Sequence, residues 1–261
     1  MKNEEIRMTK ECRSQNDESG YETRSAMPAS SLAPNHPRIR LVASFEELIA
    51  TPFRDGVNAM CWPRTLDGDF GEVVARLGLE QGITTLDAEI LHSLPLSAAG
   101  QAAVEAMLAD HRLLTEHGLE PVLNGINGYV QPEETGPVRT DVCSWHVDSA
   151  TCEADTWLCT YHGASSEGLP NEQAIRRVDV PETRSLLLKA YGGADYEGFL
   201  EWLNDHYYDL HYAPRPGAKP YTFGIGHLWR VATLHEGCLV PPCIHRAPDP
   251  VPGQMRLLLI S

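Results

Sequence analysis

No apolar run in this chain approaches the roughly 20 residues that a membrane-spanning helix needs, so a helical membrane anchor is not expected. The first residues lack the apolar stretch of a secretory leader, which makes a cytoplasmic location the expectation. Basic residues are also scarce: 21 Lys and Arg stand against 36 Asp and Glu, for a formal charge of −15. Nucleic acids and anionic membranes both select a basic footprint, and neither is expected as a partner. The seven cysteines are odd in number and contain no C-x-x-C pair, which argues against a secreted disulfide framework. Cys238 and Cys243 resemble half of a zinc site whose second half is missing. Gly224 and Gly226 form no phosphate loop, since no helical pattern opens after them. A nucleophile elbow and an H-E-x-x-H motif are likewise missing.

What is there divides by composition. Residues 1–37 are polar, mixed in charge and poor in large apolar groups, and are expected to be a disordered tail. A single domain is expected over 38–261. Its first part, about 38–120, reads as a helical layer with one buried strand over Gly56–Trp62. Ser44 and Glu47 have the spacing of a capping box, and apolar residues recur at helical intervals over Phe70–Leu79 and Ser97–His117, with Gly118 as the stop.

Beyond Glu120 the pattern changes to short β-branched or apolar runs separated by Gly, Pro and Asn. The expected strands are Pro121–Val130, Val138–Val147, Thr156–Tyr161, Ser185–Lys189, Tyr221–Leu234, Cys238–Ile244 and Met255–Ile260. Many short strands with turns between them predict an α+β domain whose C-terminal part is a double-stranded β-helix, a jelly-roll or cupin-like core. A helical insert is expected at about 170–220, with its helix over Asp195–Tyr208.

Trp145-His146-Val147-Asp148 carries the chemistry. On a strand, side chains alternate, so His146 and Asp148 point the same way as an H-x-D ligand pair. His245 offers a third ligand on a later strand. Two imidazoles and one carboxylate make the facial triad of a non-haem Fe(II) site, with three positions left for a bidentate cosubstrate and oxygen. Arg256 heads the next apolar run and supplies the fork that a 2-oxoglutarate carboxylate needs. Arg246 ranks below it, because on an extended strand it faces away from His245. Asn124, Asn127, Tyr129, Arg139 and Tyr161 are further substrate-side candidates. His206 and His211 read as an aromatic helix end and loop, and His162, His227 and His235 lack positional logic. Cys143, Cys152 and Cys159 read as small buried residues.

The landmarks Asp55-Gly56-Val57-Asn58, Trp145-His146-Val147-Asp148, Leu158 to Gly163, Gly168-Leu169-Pro170-Asn171, His245-Arg246-Ala247-Pro248 and Arg256 to Leu259 resemble the DUF1826 family of bacterial proteins over most of 50–261. That resemblance implies landmarks more than chemistry. More widely, the second half is similar to Fe(II)/2-oxoglutarate-dependent oxygenases. The similarity implies His146, Asp148 and His245 as iron ligands, Arg256 as cosubstrate anchor, and a small-molecule substrate attacked with molecular oxygen. The carboxylate at 148 sets the chain apart from the halogenases of that superfamily. Two alternatives stand beside this expectation: a cupin-like metal enzyme that uses no 2-oxoglutarate, and a non-catalytic metal-binding or sensing module.

Overall fold

The computed structural model describes residues 36–129 and 136–261. The expected tail, apart from its last two residues, and Val130 of the first expected strand lie outside the described residues. In chain order the described elements are β1 (Ile39–Leu41), α1 (Phe45–Ala50), β2 (Ala59–Trp62), α2 (Phe70–Leu77), β3 (Gly82–Leu86), α3 (Ala88–Ser93), α4 (Ala98–Glu116) and β4 (Val122–Asn127). There follow β5 (Asp155–His162), β6 (Glu167–Leu169), β7 (Ala174–Arg176), α5 (Pro181–Tyr191), α6 (Glu197–Asp205), β8 (Tyr212–Pro214), β9 (Tyr221–Thr222), β10 (Leu228–Ala232), β11 (Ile244–Arg246) and β12 (Arg256–Ile260).

The fold is mixed α and β, built on a seven-stranded sheet in the order β1-β2-β10-β5-β12-β4-β3. Only the β1–β2 pairing in it is parallel. A second ladder runs β11-β6-β9, and a third pairs β7 with β8. These ladders do not close into a continuous barrel.

Alternation along the strands splits the large sheet into two faces. Trp157, Cys159, Tyr161, Leu257 and Leu259 pack with Val73, Val104, Met107 and Leu114 under the helices. Leu158, Leu258, Ile126, Trp229 and Val231 face the opposite way and pack with Phe223 and Cys243 between the two larger sheets. This second layer lies on the side of the candidate site.

The helix starts follow local chemistry. Ser44 Oγ accepts the Glu47 amide while Glu47 Oε2 accepts the Ala43 amide, a reciprocal cap. Helix α4 ends at His117, with Gly118 at φ 77° relieving the next turn as a side chain could not.

Three expectations are corrected. Ser185–Lys189 is helical and belongs to α5: Pro181 opens that helix, Gly192 ends it at φ 73°, and its Leu186-Leu187-Leu188 run buries Leu187 at a helical position. Val138–Val147 is bend, turn and irregular chain, and sheet pairing is confined to bridges at His146. Cys238–Ile244 yields a strand only from Ile244, because Pro241 and Pro242 cannot donate to a ladder. The N-terminal region contributes more than helices: β1, β2 and β3 flank the large sheet, and β3 and α3 had no sequence signal strong enough to separate them from loop.

Candidate metal centre

His146 sits between two histidines. It forms an antiparallel bridge with His245 on one side and with His211 on the other. The His146 and His245 backbones exchange two hydrogen bonds, at 3.0 and 2.9 Å, which sets their side chains on one face. On the reverse face Trp145, Val147, Ile244 and Leu169 form a separate apolar cluster. The ligand row therefore has a packed backing that resists rotation.

The triad converges without any special turn. His146 Nε2 lies 3.7 Å from Asp148 Oδ1, and His245 Nε2 lies 3.4 Å from Asp148 Oδ2. One donor atom from each residue falls within 4.8 Å of the others. Adjacent corners of an octahedron with bonds of about 2.1 Å are about 3 Å apart, so small side-chain adjustments suffice to surround one ion. His146 Nδ1 contacts the Ser144 carbonyl at 2.7 Å, and His245 Nδ1 contacts the Cys243 carbonyl at 3.2 Å. A carbonyl can only accept, so each Nδ1 carries the proton and each Nε2 presents a lone pair. Thr156 Oγ1 donates to Asp148 Oδ2 at 2.5 Å and orients the carboxylate.

Protonation favours ligation. Burial and the adjacent His245 push His146 down to about 4, so its imidazole is neutral near pH 7. Burial works against the Asp148 charge, but His245, the Thr156 hydroxyl and His146 outweigh it and hold the carboxyl below its usual range. Cys243 is pushed up to about 12 by burial and remains a thiol, which makes it a poor competing ligand.

A pH prediction follows for the metal-free protein. Unfolding restores His146 to its ordinary value near 6.5, so between about 6.5 and 4 the unfolded chain binds more protons than the folded one. Its contribution to stability is complete above 6.5 and declines as pH falls toward 4. Denaturant midpoints measured from pH 7 to pH 4 should fall more steeply in the natural chain than in His146→Gln.

Arg256 is buried at 5% exposure. It donates to the Ala164 carbonyl at 2.7 Å, to Tyr129 Oη at 2.6 Å and to Ser166 Oγ at 3.2 Å. No carboxylate pairs with it among the described residues, and burial lowers its proton affinity. Ser166 immediately precedes β6, whose Gly168 is the register partner of His245. The guanidinium is thereby tied to the strand beside the triad, about 7 Å along it by strand rise. A shallow cleft lined by Tyr129, Ala164, Pro248, Gln254 and Arg256 opens at this point.

The remaining candidates scatter. Asn124 shares the inter-sheet face of Ile126, half-buried. Asn127 faces the helices and holds the Leu79 carbonyl at 3.0 Å. Tyr161 also faces the helices, where its hydroxyl donates to Asp110 at 2.7 Å. Arg139 pairs with Asp141 and Asp249. Arg246 pairs with Glu167 at 2.7 Å and stacks over Trp145, on the face away from the triad. Cys152 is exposed, whereas Cys143 and Cys159 are buried.

Ser166, Thr156 and His211 had no distinguishing sequence signal, because their roles depend on cross-strand neighbours. The ring of His211, buried at 4% exposure, is centred 5.9 Å from that of His146. Thr160 Oγ1, on the same inter-sheet face as Leu158, is buried without a hydrogen-bond partner.

No family model, curated protein or solved structure matches the chain. Its chemistry is therefore read from the geometry above. Among the described residues no helix is long and apolar enough to cross a membrane.

Proposed function

We propose that this chain is a non-haem Fe(II)- and 2-oxoglutarate-dependent oxygenase that oxidises a small-molecule or amino-acid-like substrate. The observation that carries the reading is the pairing of a His-Asp-His cluster with Arg256, a buried cation that has no acid partner among the described residues and is tied through Ser166 to the strand beside His245. A buried arginine lacking a counter-charge is costly unless a ligand supplies one. The strand order adds support. β4, β12, β5 and β10 are neighbours in the large sheet, while the His146 segment, β11, β6 and β9 follow one another in the second ladder, the order expected of a double-stranded β-helix. Apart from Asp55–Asn58, the landmarks that resemble the DUF1826 family fall on these same elements, and membership of that family is part of the proposal.

The donor set fits the metal. Two neutral imidazole nitrogens and one carboxylate oxygen suit Fe(II) and leave one side of an octahedron open. Bound iron chelated by 2-oxoglutarate supplies oxygen activation coupled to decarboxylation of the cosubstrate to succinate. His146 and His245 hold their Nε2 atoms at the ion through the Ser144 and Cys243 carbonyls. Asp148 offsets half of the ionic charge, with Thr156 fixing its second oxygen. Arg256 would hold the far carboxylate of the cosubstrate, and Tyr129 and Ser166 orient its guanidinium for that role. Leu158, Leu258, Phe223 and Trp229 exclude water from the layer between the sheets.

Anaerobic reconstitution with Fe(II) and 2-oxoglutarate tests the reading through the weak visible charge-transfer band of the chelate. Arg256→Gln should raise the 2-oxoglutarate dissociation constant by at least about 30-fold, the loss expected when one partner of a buried charge pair is removed. A folded, iron-loaded protein without the band would rule out 2-oxoglutarate as the cosubstrate.

A further inference from the structure

A second arginine repeats the condition of Arg256 on the other side of the triad. Beyond His211 the cross-strand row continues: β7 pairs with β8 so that Arg176 lies opposite Tyr212, and the Arg177 amide donates to the His211 carbonyl at 2.8 Å. Arg177, His211, His146 and His245 thus lie in a row across successive hydrogen-bonded segments. Residues directly opposite in a ladder share a face. Tyr212 and Ala174 pack with Trp145 and Val147 on the reverse face, which leaves the row of Arg177 and His211 on the face of the triad.

The Arg177 guanidinium is half-buried and its one hydrogen bond among the described residues is to the Tyr212 carbonyl, at 3.2 Å. The acid that acts on it, Asp141, is already held by Arg139 and by the amides of Cys143 and Ser144. Burial, reinforced by the neighbouring Arg139, lowers its proton affinity, as burial does for Arg256. In a chain of net charge −15, acids to neutralise this cation were plentiful, yet none pairs with it among the described residues.

We propose that Arg177, with His211 beside it, docks an anionic group, a carboxylate or a phosphate, of the primary substrate. This rests on the oxygenase reading of the triad and narrows its substrate class. Two strand spacings separate Arg177 from His146, which sets the anion about 10 Å from the metal and the oxidised carbon several bonds from the charge. Arg256 serves the cosubstrate and Arg177 the substrate, one on each side of the ion.

The test is calorimetric titration of hexanoate, hexyl phosphate and the neutral hexanamide into the full chain, both loaded anaerobically with Fe(II) and 2-oxoglutarate and metal-free. Saturable binding of at least one anion is expected, at least about tenfold tighter than hexanamide. Arg177→Gln should weaken that anion at least about tenfold and leave hexanamide unchanged, the effect of losing one charge-assisted contact. Arg177→Lys, which keeps the charge and loses the fork, should fall between. Equal binding of hexanoate and hexanamide, absence of saturable anion binding, or anion affinity unmoved in a folded Arg177→Gln would each overturn the proposal. Loss of the chelate band alone counts against the oxygenase reading, while the metal-free titrations still decide the role of Arg177.

Discussion

Asp148→Ala is expected to weaken Fe(II) binding by more than about 100-fold. Substitutions one shell outside a metal already cost about 10- to 100-fold, and Asp148 is the one anionic member of the cluster. Its removal leaves two neutral imidazoles to bind a dication, and it frees the Thr156 hydroxyl that now donates to it. Competition with a chromophoric chelator under anaerobic conditions measures the change. Retention of iron to within about threefold would place the metal elsewhere. Asp148→Asn serves as the steric control, since it preserves shape while losing charge, and should lie between the alanine variant and the natural chain. The metal-free fold should tolerate either change, because Asp148 is half-buried and its backbone bond with Leu234 does not involve the side chain.

The largest stability effect is expected far from the triad. Asp110 in α4 is buried at 4% exposure under the large sheet. There it accepts both guanidinium nitrogens of Arg64 and the hydroxyl of Tyr161. Burial alone would lower the proton affinity of Arg64, but the bonds to Asp110 overcome this and raise it. Asp110→Ala leaves a cation and a phenol unpaired in the helical core and should cost about 3–5 kcal/mol, the range for breaking a buried pair from one side. Chemical denaturation should report the loss as a lower midpoint. The double variant Asp110→Leu with Arg64→Met should recover much of it, because an apolar replacement of both partners removes the desolvation penalty as well. A single variant costing less than about 1 kcal/mol would mean that water reaches the cluster.

These two sites differ in how readable they were. The H-x-D spacing of His146 and Asp148 needs only strand alternation, and His245 and Arg256 follow on the last apolar runs. Capping chemistry at Ser44 and Glu47 and the helical period of α4 were equally local. Asp110, by contrast, looked like any polar residue in an amphipathic helix. Its partners Arg64 and Tyr161 come from a loop and from the helix-facing side of β5, and which face of β5 packs on the helices is set by tertiary contacts. The Ser185–Lys189 segment misled because three consecutive leucines fit a buried strand or a helix equally well, and only the Pro181 and Gly192 boundaries decide for the helix.

The sequence by itself determined the chemistry on offer: two histidines and a carboxylate able to ligate, an arginine heading the last strand, and a formal charge of −15. Side-chain type and nearest-neighbour spacing are written along the chain, so those features needed no fold. Tertiary structure decided which residues share a face and which charges lack a partner. It set His211 beside His146, aligned Arg177 with that row, and buried Arg256 with no acid partner among the described residues. Those facts arise from pairing between segments far apart in sequence, where strand register, which one residue of slippage would invert, selects the neighbours.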